Sequence, residues 1–103
     1  MLVLVGTLPT SLGTLYTVPS MLEALVDHIR LVNDTGAAVS VYLYLTAGGT
    51  TINMVPTALQ FDAKDFLADE HKWRLSEGAY ISGYSSVSGV KYYFGGEETR
   101  RHP

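Results

Sequence analysis

A chain of 103 residues is long enough to bury one core and too short for two independent domains. With 47% hydrophobic and only 17% charged residues it is not a disordered chain, and so little charge leaves apolar surface for a partner to cover. Seven basic residues against ten acidic ones, a net charge of -3 and the absence of cysteine exclude a phosphate-binding basic stripe, disulfide staples and thiolate metal sites.

Met1-Leu2-Val3-Leu4-Val5 is apolar but lacks a basic flank and is broken by Gly6 and Pro9. It is expected to be neither a signal peptide nor a membrane span, and residues 1–13 are read as a first strand or an arm. Thr14 to Val18 reads as a short strand ended by Pro19. Residues 20–32 carry two patterns. Ser20 and Glu23 form a capping box, and Leu22, Leu25, Val26 and Ile29 recur at helical spacing. Taken as a strand, the same segment puts Leu25, Ile29 and Leu31 on one face with Asp27 as the misfit, and the turn Asn33-Asp34-Thr35-Gly36 leads back into the next strand.

That next strand is the clearest signal in the chain. Between Val39 and Leu45 the side chains alternate, with Val39, Val41, Leu43 and Leu45 on a core face and Ser40, Tyr42 and Tyr44 on the other. Ala47-Gly48-Gly49-Thr50 is a turn, and Thr51 to Val55 a short strand stopped by Pro56. Between Leu59 and Leu75 the charged residues predict a connection with one short element, packed by Phe66, Leu67 and Trp73. Tyr80 to Val87 and Val90 to Phe94 flank Ser88-Gly89 as a tight hairpin would. Residues 97–103 read as a polar, frayed tail. The fold class expected is all-β: an antiparallel β-sandwich or jelly roll of about seven or eight short strands spanning residues 14–96.

The order Thr14-Leu15-Tyr16-Thr17-Val18-Pro19, then Ile29-Arg30-Leu31-Val32-Asn33-Asp34-Thr35-Gly36, then Val39-Ser40-Val41-Tyr42-Leu43 resembles small β-sandwich structural proteins of tailed bacteriophages and prophages. Leu75 to Tyr84 matches their glycine-turned acidic loop and the strand that follows it, so the likeness covers about residues 14–95. The resemblance implies a strand at residues 24–32. It departs from the pattern at Met21-Leu22-Glu23, where such chains have a glycine-containing turn, and at the charged stretch Lys64 to Trp73. It further implies a virion component made in the bacterial cytoplasm: a capsid decoration (cement) protein or a head, neck or tail accessory protein. Such a protein would be a homo-oligomer, a trimer by preference, bound to other virion proteins such as the major capsid protein, without enzymatic activity or cofactor.

Chemistry-bearing residues are scattered. His28, His71 and His102 form no metal-binding pair, Asp62, Asp65, Asp69 and Glu70 have no spacing that makes an acid and base face each other, and no Gly-x-Ser-x-Gly elbow occurs. Asn33-Asp34-Thr35 matches a glycosylation sequon, a pattern too short to carry weight alone. The candidate interface residues are Leu2 and Leu4 on the N-terminal segment, Trp73 as a lone anchor, and the tyrosines Tyr42, Tyr44, Tyr80, Tyr84 and Tyr93. These tyrosines make either a platform for a protein or a glycan, or cross-strand packing that only steadies the sheet. Neither nucleic acid nor a membrane is expected as a partner.

Overall fold

The computed structural model describes residues 1–55, 59–70 and 72–100. Pro56, His71, His102 and the last three residues of the expected tail lie outside them. The described residues form ten strands: β1 (Leu2–Thr7), β2 (Gly13–Thr17), β3 (Leu22–Asn33), β4 (Val39–Ala47), β5 (Thr50–Asn53), β6 (Leu59–Phe61), β7 (Phe66–Asp69), β8 (Trp73–Leu75), β9 (Tyr80–Ser85) and β10 (Val90–Arg100). They build two antiparallel sheets. The first runs β1-β10-β3, with β7 and β8 both on the far side of β3; the second runs β2-β9-β4, with β5 and β6 both on the far side of β4. No described residue is helical, and the all-β sandwich expected from the sequence is the architecture found.

The core lies between the sheets. Val39, Val41, Leu43 and Leu45 of β4 are buried as their alternation requires, and with their sheet neighbour Ile81 of β9 they join Val26, Ile29, Leu31, Val90 and Phe94 of the first sheet in one core. Most consecutive strands change sheet, so the links between them are arches across the core. Among the described residues the only two-residue hairpin is β4–β5, where Gly48 and Gly49 adopt φ of 59° and 80°, the left-handed pair that this turn demands.

The hairpin expected at Ser88-Gly89 is not formed. β9 pairs with β2 and β4 in the second sheet, whereas β10 pairs with β1 and β3 in the first. Of Ser88 and Gly89 only Gly89 has a positive φ, and Ser86 is tied to β4 instead, its amide donating to the Ser40 carbonyl at 2.9 Å. The Asn33 to Gly36 turn is likewise an arch, since β3 and β4 belong to different sheets. Asn33 itself is fully buried. Its Nδ2 donates to the carbonyls of Ala37 and Asp62, each at 2.9 Å, and its Oδ1 accepts from the Thr35 amide at 3.0 Å and the Thr35 hydroxyl at 2.6 Å. The sequon is therefore a structural knot, its amide enclosed and engaged on both sides.

Residues 22–33 are a strand, and the helix-like spacing has a physical source. Asp27 is an extra residue: His28 pairs with Gly95 and Val26 with Gly96, so Asp27 has no partner on β10. The bulge shifts the buried face from Ala24 and Val26 to Ile29 and Leu31, a step of three that imitates a helix. It also moves Leu25 off the face of Ile29, against the expectation that the two share it. Ser20 caps no helix; its hydroxyl donates to Glu77 Oε1 at 2.9 Å, and the Met21 amide donates to the same oxygen at 2.7 Å.

Met21 has φ of 70°, the conformation a glycine would supply at the turn where the resembled proteins carry one. An exposed methionine held left-handed costs roughly 1 kcal/mol of backbone strain. Met21→Gly is therefore expected to stabilise the fold by about 0.5–1 kcal/mol, read as a rise of a few degrees in the thermal midpoint. An unchanged or lower midpoint contradicts this.

Two other expectations change, and a third is narrowed to one of its two forms. The stretch from Leu59 to Leu75 forms three short strands, not one element; Leu67 and Trp73 pack on the core, but Phe66 is exposed beneath the Arg30 guanidinium, 4.9 Å from its ring centre. Glu97–Arg100 is not a frayed tail but the end of β10, paired with Leu22 to Leu25. Residues Leu2–Thr7 take the strand form of the two offered for the N-terminus, paired along their length with β10 of the same chain, and the arm form is not adopted.

Candidate functional site

The outer face of the second sheet collects the side chains that alternate away from the core. On β4 these are Ser40, Tyr42, Tyr44 and Thr46; across the ladder on β9, Tyr84 lies opposite Tyr42, Ser82 opposite Tyr44 and Tyr80 opposite Thr46. β5 adds Thr51 opposite Thr46, with their hydroxyls 2.8 Å apart, and β2 adds Thr14 opposite Ser82. Four of the five predicted tyrosines are thus gathered on one surface.

Tyr42 and Tyr84 stack nearly parallel, ring centres 4.4 Å apart at 11°. Beside this pair the face dips into a groove of about 680 Å³. Tyr44, Tyr80, Ser82 and Tyr84 line it, Thr46 and Thr51 form one side, and Leu12, Gly13 and Thr14 form the opposite rim. Tyr42 is not part of the lining; it backs the Tyr84 ring. Removal from water, with smaller contributions from Tyr42 and Tyr44, raises the Tyr84 pKa above the ordinary phenol value, so the groove keeps a neutral hydroxyl. None of the nine lining residues is charged.

The first sheet presents a different face. Tyr93 lies here, on the opposite side of the sandwich from the other four tyrosines, and its ring covers Gly95. Across the ladder from Tyr93 and Gly95 stand Val5 and Val3, which are 71% and 49% exposed. Leu2 and Leu4, the residues singled out on this segment, point the other way: Leu2 is buried and Leu4 packs on the core. Leu2-Val3-Leu4-Val5 has no polar face, so alternation alone could not say which pair looks outward. Trp73 anchors β8 against Val26 on the core side, so it is a packing residue in the isolated chain.

Two ionisable constellations remain. Tyr16, turned inward past a bulge at Leu15, donates to Glu98 Oε2 at 2.7 Å and so ties β2 to β10 across one end of the sandwich. Its burial, then this carboxylate, raise its pKa far above the usual phenol range. At the β3 bulge, His28 Nδ1 meets Asp27 Oδ1 at 2.9 Å while Nε2 is 3.9 Å from Glu70. The hydrogen bond to Asp27 raises the His28 pKa, yet the ring is well exposed. Among the described residues no three histidines or carboxylates are grouped so as to hold a metal ion, and neither constellation adjoins the groove.

The chain matches no family model, no curated protein and no solved structure.

Proposed function

We propose that this chain is a non-enzymatic structural component of a phage virion, a capsid decoration or a head, neck or tail accessory protein that self-associates and binds neighbouring subunits. The observation that carries the assembly part is the edge strand β1. Its six residues, Leu2–Thr7, contain neither a charge nor a proline, and among the described residues no strand pairs with its outer side. Sheet edges that must stay free are normally blunted by charges, prolines or bulges, and β1 has none of these.

The exposed Val3 and Val5, continuous with the Tyr93 ring, add apolar area alongside the open edge. A second copy that covers this edge gains main-chain hydrogen bonds and apolar burial together; where the rotation between copies closes, such contacts make a ring, and we take the trimer as its form. The resemblance of residues 14–95 to phage structural sandwiches supplies the virion setting, with the major capsid protein as the further partner.

The test is the solution mass by light scattering across concentration, followed by co-sedimentation with phage capsids. The natural chain is expected as a stable closed oligomer. Val5→Lys, which puts a charge beside the edge at an exposed position, is expected to give a folded monomer. A natural chain that stays monomeric at high concentration, or a Val5→Lys oligomer of unchanged mass, overturns the assembly proposal. A chain that oligomerises but ignores capsids overturns its virion setting.

A further inference from the structure

We infer that the groove on the outer face of the second sheet is a binding site for a neutral oligosaccharide. This inference is independent of the assembly proposal, which uses the opposite sheet. Of the groove's side chains, Tyr44, Tyr80 and Tyr84 supply flat aromatic area, and Thr14, Thr46, Thr51 and Ser82 supply aliphatic hydroxyls. A hydroxyl both donates and accepts, so the lining suits a ligand whose own groups do both. Aromatic rings suit a ligand with flat C–H surface between those groups. A sugar ring has the two properties at the same spacing.

Charge decides against the other classes of ligand. No lysine, arginine or histidine lines the groove, so a phosphate, sulfate or carboxylate brought there would lose its hydration without a counter-charge. Nucleic acid fails on the same ground, despite the rings available for stacking. A purely apolar ligand would strip water from seven hydroxyl-bearing side chains and return no hydrogen bonds. An extended peptide adds most readily to a sheet edge, whereas this groove crosses a sheet face. A volume of about 680 Å³ falls within the range of roughly 300–1,000 Å³ usual for ligand sites.

Tyr42 has a positioning part. Stacked on Tyr84, it holds that ring so that little side-chain entropy remains to be lost when a ligand arrives. The experiment is affinity electrophoresis of the full chain in native gels cast with dextran, amylose, mannan or galactan, with heparin as the anionic control. Retardation is expected in at least one neutral gel, unaffected by added salt. It is expected to weaken about tenfold or more in Tyr80→Ala, and in Thr51→Arg, which fills the groove from an exposed position. Tyr93→Ala, on the other sheet, is expected to leave it intact. Both groove variants alter exposed side chains, and circular dichroism verifies that they fold. No retardation in any neutral gel, equal loss in Tyr93→Ala, or salt-sensitive binding to heparin alone overturns the inference. Oligomer mass, measured separately, keeps a failure here distinct from a failure of the assembly proposal.

Discussion

Gly96→Ala is expected to destabilise the fold by about 4 kcal/mol, seen as a large fall in the urea midpoint. The reason is the bulge at Asp27. One unpaired residue on β3 bows that strand toward β10, and Gly96 sits where the two backbones come closest. A Cβ built on Gly96 would overlap the Leu25 carbonyl oxygen and stand 3.0 Å from the Val26 Cα. Both are backbone atoms, so relief requires shifting a paired strand rather than turning a side chain. Gly95→Ala is the internal control. There the added methyl meets the end of the Tyr93 side chain at 2.9 Å, and an exposed ring can swing away, so about 1 kcal/mol is expected. If Gly96→Ala costs no more than Gly95→Ala, the bulge is not locked and β3 is free to slip against β10.

The same bulge explains how far the sequence could be read. In β4 the alternation is unbroken, and Val39 through Leu45 state their burial outright. In β3 the buried residues Ala24, Val26, Ile29 and Leu31 are correct strand positions on either side of Asp27, but the step of three at the bulge reads locally as a helix. A bulge is set by how two strands meet, and β10 lies about sixty residues further along the chain. Sheet membership was illegible for a related reason. Both a hairpin and an arch need a turn, so Ser88-Gly89 announced the reversal without saying that β10 would cross to the other sheet.

The site followed the same division. Tyr42 and Tyr44 could be assigned to an outward face because β4 alternates with apolar partners, and pairing β4 with β9 then brought Tyr80 and Tyr84 beside them. Tyr93 was separated from them by the crossover that the sequence concealed. Thr46, Thr51, Thr14 and Ser82 were missed because a hydroxyl residue on a strand is ordinary until its neighbours on three other strands are known.

Leu8→Ala is expected to cost about 3 kcal/mol, close to the loss usual for emptying a fully buried leucine position. Leu8 is 1% exposed, its amide donates to the Val90 carbonyl at 2.8 Å, and the next residue's carbonyl accepts from the Ser85 amide at 2.9 Å. Residues 2–9 therefore bind the first sheet through β10 and the second through β9, and they close one side of the core. Had residues 1–13 been an arm given to a neighbour, Leu8→Ala would weaken association and leave the stability of the sandwich untouched. The fold predicts the reverse, while Val5→Lys, on the exposed face of the strand just before Leu8, should change stability by less than about 0.5 kcal/mol and abolish association. Urea unfolding and light scattering on this pair of variants separate the inward and outward sides of residues 2–9. Leu2, Leu4 and Leu8 hold the sandwich together, and Val3, Val5 and the open edge of β1 are what remain for another subunit to use.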